Sequence, residues 1–455
     1  MEHIQFQQMD LTETFEIPSL DQWISQLRKD LTEEDFKKLS FENDIEELKM
    51  VSYGHSDNAQ KACSVPGSFP YTRGSKRDNN NWHIGHSIYV SDENEANKKA
   101  LEILMKGTDL LLFYISKNDI NLSVLLKDIG LEYIRTEFHV ESTQQWHAVF
   151  SYFSEEVPQS VSILIDPLLL SQSERLDISN SLRKKQFRTF HINGKRVLEA
   201  GSSSTTEVGF CLSAGHSMLF ELLDIGFSVD EAAACLHFSM GIGNDYFTEI
   251  SKFRAFRTLW SNVIKAYSPL HNCSYHCEIT AYTISLNKSL IDPYTNLLRQ
   301  TTEGMSAVAG GAQNLVIEPY DSHSVDGSCD FSERMALNIS LMLKEESYMD
   351  AVIDPMGGSY TVETLTYNFC EKAWELFRLL EENGGMFNED SLKTLKSKVN
   401  KTRNLRIQKF VRGESTLIGI NKYPNPEPKS GSLNTFPDYL GLAPLILEQE
   451  ASKSL

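Results

Sequence analysis

Basic residues are scarce in this chain: 43 Lys and Arg face 62 Asp and Glu over 455 residues, a formal net charge of −19. That deficit argues against general nucleic-acid binding, which needs a basic footprint. It also obliges any anionic substrate to find a locally positive pocket against an unfavourable overall field. Long apolar runs are missing too. The longest, LLLFYI at 110–115, falls far short of a membrane span. The opening MEHIQFQQMDLTETF has neither a basic n-region nor an apolar h-region, so no secretory signal is expected. The 7 cysteines follow no framework spacing, which points to a reduced, cytoplasmic chain. No Walker pattern occurs, and GIGND lacks the third glycine of a dinucleotide fingerprint. Cys273, His276 and Cys277 form C-x2-H-C with no second ligand pair, so no metal site is expected and buried thiols explain them better.

What is present is an alternation of strand-like and helix-like segments. KKALEILMKG reads as a helix ending at Gly107, and DLLLFYI, SVSILIDPLL and QFRTFHI read as strands. A long helix follows Gly201, and another runs from about Asn244 with Phe247, Ile250, Phe253, Leu259, Val263 and Ile264 on one face. HCEITAY, NLVIEPYD and DAVIDP read as further strands, and the helix before DAVIDP is expected to start at Asp330 with Glu333 as its capping-box partner. Such alternation predicts α/β architecture with a parallel sheet closed into a (β/α)8 TIM-type barrel. Extra helices are expected near 362–383 and 389–411, followed by a loose tail in which LAPLILEQE docks back. Residues 1–65 read as an arm, with Leu20, Ile24, Leu27 and Leu31 at helical spacing. The division expected is therefore an arm at 1–65, a barrel at 66–423 and a tail at 424–455.

Glycine-rich and polar stretches fall where loops leave the strands, which is the active face of a barrel enzyme: EAGSSSTTE, MGIGND, AGGAQN and DPMGGSY. Turn chemistry accounts for them as well as a ligand cradle does. RKKQFR at 183–188 precedes its strand and reads as a solvated surface at the opposite end. HINGKRVLEAG is different. It places Lys195 and Arg196 at the strand-to-helix rim, where barrel enzymes keep their chemistry.

PGSFPYTRG (66–74), GIGNDYFTEISKFRAFRTLW (241–260) and DPYTNLLRQTTEGMSAVAGGAQNL (292–315) resemble the methylmalonyl-CoA mutase family. DFSERMALNISLMLKEES (330–347), VIDPMGGSYTVETLT (352–366) and LIGINKYP (417–424) extend the likeness in the family's order. The resemblance implies a barrel that holds an acyl-CoA along its axis. It also implies a radical rearrangement driven by adenosylcobalamin, which a separate flavodoxin-like domain presents.

Against that pattern the chain departs at the chemistry. Active members carry a motif like YHMQEAG where this chain has KRVLEAG, so Lys195 stands at the tyrosine position and Arg196 at the histidine position. A neutral imidazole polarises a thioester carbonyl; a permanent guanidinium has other geometry and hydration. SKRDNNN lacks the tyrosine of the family's wedge loop, no counterpart of the family's TIQND-like segment is evident between 150 and 185, and Ser322 stands where a glutamate contacts the adenosyl ribose. No D-x-H-x-x-G cobalamin loop occurs.

These departures imply the small, non-catalytic subunit of a heterodimeric methylmalonyl-CoA mutase, binding no cofactor itself, with adenosylcobalamin on the catalytic large subunit. Two alternatives stand beside it: an active mutase barrel served by a separate cobalamin-binding subunit, and a regulatory pseudoenzyme that still holds a CoA ester. For the latter, Arg73 of the TRG motif is the candidate phosphate contact, against a purely bracing role. No nucleic acid or membrane partner is expected.

Overall fold

In the computed structural model, which describes residues 18–452 apart from 52, 58–63, 154–157, 186, 430 and 435–436, the chain opens with a helix, Leu20–Asp30, and a small hairpin of β1 (Ser40–Asn43) and β2 (Leu48–Val51). Eight parallel strands follow: β3 (His83–Val90), β4 (Leu110–Ile115), β5 (Arg135–Val140), β6 (Val161–Leu164), β7 (Phe190–Asn193), β8 (Leu236–Ile242), β9 (Ile279–Thr283) and β10 (Asn314–Val316). β3 pairs with both β4 and β10. A parallel bridge from Ile165 to Phe190 joins the β6 edge to β7 and closes the ring. This is the expected (β/α)8 barrel.

Helices clad the barrel because each strand offers one apolar row outward. Ile88, Phe113, Phe138, Ile163, Phe190, Phe238 and Leu315 belong to one continuous outer core shared with the surrounding helices. The longest cladding helices are Ser204–Asp224, Tyr246–Lys265, Tyr360–Glu382 and Glu389–Val411. The first is capped by the Ser203 side chain and also by the hairpin. Glu46 accepts N–H groups from Ser204 (3.0 Å) and Thr205 (2.9 Å), placing a carboxylate at the positive end of the helix.

Two expectations are corrected. DAVIDP is not a strand but a chain of turns and bends, ending at Asp354 with φ 47° so that its carboxylate meets two arginines. The helix before it does start at Asp330, but its cap is Cys329, whose sulfur accepts from Ser332 N–H; Glu333 instead pairs with Lys99. Three strands have no counterpart in the pattern of apolar runs: β3, β5 and β8. Their inward residues (Ser87; Glu137 and His139; His237 and Ser239) are polar, so they lack the apolar run by which a buried parallel strand is recognised.

The tail does return to the barrel. From Lys429 onward it runs across the mouth at the C-terminal ends of the strands. Lys429 N–H donates to Ile291 O (3.0 Å), Asn434 N–H to His323 O (2.8 Å), Leu445 N–H to Glu199 O (2.7 Å) and Leu447 N–H to Leu286 O (3.2 Å). Gly201, at φ 96°, ends the helix after β7. A Cβ there would lie 2.9 Å from Leu445, so only glycine lets the tail pack so close.

Candidate functional site

In a barrel enzyme the axis and its C-terminal mouth are the working volume. Here contacts between strands that are not neighbours show what occupies that volume, since side chains on such strands meet only across the axis. At the N-terminal end Glu278, before β9, takes Arg188 at 3.2 Å and also Arg135 of β5. Burial alone would raise the Glu278 carboxyl, but Arg188 and Arg135 pull it down to about 2. Arg188, expected on a solvated surface with the rest of RKKQFR, thus reaches into the axis.

One level up, imidazoles fill the centre. His139 Nε2 lies 3.1 Å from Glu137, His237 Nε2 lies 3.8 Å from the same carboxylate, and His191 Nε2 meets the Ser239 hydroxyl at 2.6 Å. The ring of His191 stands 5.2 Å from that of His139 and 5.7 Å from that of His237. Burial holds His139 and His237 down to about 3 and pushes Glu137 up. These histidines are neutral, packed polar filler. Leu110, Leu112, Tyr282 and Val316 complete the interior. Packing is tight: a methyl added to Gly85 would sit 2.7 Å from Val316 Cγ2 and 3.1 Å from Leu112 Cδ1.

At the mouth the two rim cations part company. β7 ends at Asn193 and runs directly into the helix Gly194–Glu199, which turns Lys195 into the axis and Arg196 away from it. Lys195 Nζ lies 4.6 Å from the centre of the Tyr282 ring, 3.5 Å from Glu318 and 4.0 Å from Glu199. Burial works against its charge, yet Glu199 and Glu318 hold its pKa above the ordinary lysine value. Arg196 donates instead to Pro437 O of the tail and lies over the Tyr439 ring at 5.7 Å. Tyr439 is buried, and its hydroxyl donates to Asp166 at the end of β6 (2.8 Å). Burial raises the Asp166 carboxyl to about 6 in spite of that hydrogen bond.

The remaining candidates, Ser322, Arg73 and the C-x2-H-C cysteines, are scattered. Ser322 sits in the turn after β10, its N–H bonded to Pro319 O. Arg73 lies at the opposite, N-terminal end, where its Nε meets Asp354 at 2.7 Å. Asp354 also takes Arg254, which in turn pairs with Glu363 at 2.6 Å. The TRG, FRAFR and DPMGGSYTVE motifs therefore meet in one ion network that braces the loop, so Arg73 has the bracing role rather than a free guanidinium for phosphate. Cys277 is buried and Cys273 exposed, and among the described residues no group of three or more His, Cys, Asp or Glu is placed to hold a metal ion.

Glu318, Tyr282, Asp166 and Tyr439 carry no local signal in the sequence, whereas Glu199 is legible as the residue four on from Lys195 in KRVLE. Adenosylcobalamin does not fit this mouth. The tail lies over it, Lys195 and its carboxylates fill the axis beneath, and a serine replaces the ribose-contacting acid. Chemically, the described residues leave no cavity for an acyl group and place no free base or nucleophile on the axis.

Comparison with known proteins agrees with the motifs. The methylmalonyl-CoA mutase family model matches residues 178–438. The chain is 34% identical over 444 residues to the methylmalonyl-CoA mutase small subunit of Porphyromonas gingivalis, covering 90% of this chain and 70% of that protein. It is 35% identical over 242 residues to the methylmalonyl-CoA mutase of Rhizobium meliloti, where the match spans only 33% of that protein. Against the large subunit of the P. gingivalis enzyme it is 31% identical over 242 residues, or 34% of that protein. The chain belongs to the methylmalonyl-CoA mutase family, as a homologue of its small subunits.

Proposed function

We propose that this chain is the non-catalytic small subunit of a heterodimeric, adenosylcobalamin-dependent methylmalonyl-CoA mutase. On this reading it stabilises a catalytic large subunit that interconverts methylmalonyl-CoA and succinyl-CoA and carries the cobalamin. The observation that supports it most is the filled axis. An acyl-CoA threaded along the barrel would have to displace the Arg135–Glu278–Arg188 ions, the histidine layer and the Lys195–Glu318 pair in turn. Each would leave buried charge or polar groups unpaired, at about 3–5 kcal/mol per broken ion pair, more than a substrate's contacts readily return.

Two further observations favour a partner. The helix Leu20–Asp30 has a capping box at Ser19, yet none of its residues is buried; Leu20, Trp23, Ile24 and Leu27 stay half-exposed on one face. An amphipathic arm with its apolar face unmet in its own chain suits docking on another. The relatives named small and large subunits also come from one organism.

The test is reconstitution. Mixed with its large-chain counterpart, the protein should elute as a one-to-one complex by light scattering, with mutase turnover only when the large chain is present. Failure to associate, or turnover by this chain supplied with just a cobalamin-binding domain, would overturn the proposal.

A further inference from the structure

The N-terminal mouth of the barrel carries a group of cations that its own carboxylates do not balance. Arg73, Lys76, Asn80, Arg257 and Gly311 line a narrow recess there, beside Asp354. Arg257 is buried and spends its guanidinium on carbonyls alone: Tyr71 (3.2 Å), Thr72 (3.2 Å), Gly310 (2.6 Å) and Gly311 (3.2 Å). Asp354 is shared between Arg73 and Arg254, and Glu363 is taken by Arg254. The Lys76 amine has only the carbonyls of Asn80 (3.3 Å) and Asn81 as hydrogen-bond partners among the described residues. In a chain of net charge −19 this is a locally positive pocket with a lysine half-open in it.

We propose that Lys76 is an acyl-acceptor site, taking the acyl group of small activated donors whose phosphate the surrounding guanidinium charge attracts. Two carbonyls need only two hydrogens, so a neutral amine satisfies both and keeps its lone pair for attack. The lone pair attacks the donor's carbonyl carbon and an N–C bond forms. The C–O bond of an acyl phosphate, or the C–S bond of an acyl-CoA, breaks with its electron pair, and the amine's surplus proton passes to water. The product amide keeps a hydrogen for one carbonyl and loses a charge that the recess holds at a cost.

The electrostatics favour the reactive form. Burial lowers Lys76 to about 8, and Arg257, Arg135 and Lys344 press in the same direction, while Glu278, already held by Arg135 and Arg188, opposes them. At pH 7.5 roughly a quarter of such an amine is neutral, against roughly one part in a thousand for an ordinary lysine. Lower basicity returns part of that advantage through weaker nucleophilicity, leaving a gain of about tenfold.

Full-length protein incubated with acetyl phosphate, and separately with acetyl-CoA, from pH 6.5 to 9.5, and read by peptide mass spectrometry, tests this directly. Lys76 should acetylate about tenfold faster than the exposed Lys98 and Lys127 at pH 7.5 with at least one donor, which identifies the donor class. Its lead should narrow above pH 9, and inorganic phosphate should slow Lys76 but not Lys98. Rates at Lys76 that match those at Lys98 with both donors, or a pH profile parallel to that of Lys98, would overturn the assignment. Indifference to phosphate would overturn the role given to the guanidinium charge.

Discussion

Replacing Lys195 by methionine removes one charge from the axis while nearly preserving the length of the side chain. In the wild-type chain its amine faces Glu318 at 3.5 Å and Glu199 at 4.0 Å, all three side chains being less than a fifth exposed. Without the cation, two carboxylates face each other in a largely dry site. Removing one partner of a buried pair costs about 3–5 kcal/mol, and the residual water contact here brings the expectation to about 2–4 kcal/mol. For a chain of this length the unfolding entropy makes each kcal/mol worth about 1 °C, so Tm should fall by roughly 2–4 °C. Adding Glu318→Gln to Lys195→Met should recover about half of the loss, because it removes one of the stranded charges. Differential scanning fluorimetry at pH 7.5 reads both variants. A Lys195→Met chain as stable as wild type, or a double variant that is further destabilised, would refute the view that Lys195 is present to neutralise acids.

Burial that keeps His139 and His237 neutral down to about 3 means that the unfolded chain binds protons these sites refuse, so stability should rise with pH between about 3 and 6.5 and be lost on acidification. His237→Asn should reduce the slope of unfolding free energy against pH, measured by urea titration, by about one proton. Asp166 acts in the opposite direction: with its folded value raised to about 6, its protonated form favours the native state, and the contribution fades as pH rises from about 4 through 6. Asp166→Asn should therefore stabilise the chain at pH 8 by about 1–3 kcal/mol and leave it unchanged near pH 4, in urea unfolding followed by circular dichroism. Gly85→Ala, forced against Val316 and Leu112, should cost about 1–3 kcal/mol in the same assay, whereas a hollow axis would accept the methyl freely.

The class of fold is legible in the sequence because β4, β6, β7, β9 and β10 present apolar outward rows, and because glycines and capping residues punctuate the helices between them. β5 is hidden by the property that defines this protein: Arg135, Glu137 and His139 alternate with buried residues and read as a solvated edge, yet they point into a packed interior. The Lys195–Arg196 pair is only half legible. Adjacency in the chain suggests one fate for both cations, and it is the six-residue helix Gly194–Glu199 that sends one into the axis and the other to the tail. Asp166 and Tyr439 lie 273 positions apart, beyond any local pattern. The ion network of Arg73, Arg254, Asp354 and Glu363 shows why a family motif can persist without chemistry: it holds a loop.

The claim that the axis is closed is tested most directly by counting substrate sites. An unreactive thioether analogue of methylmalonyl-CoA is titrated calorimetrically into this chain alone and into its complex with a catalytic large chain. The filled barrel predicts no saturable binding to the isolated chain and one site per heterodimer. Micromolar binding to the chain alone, or two equivalent sites per heterodimer, would contradict it.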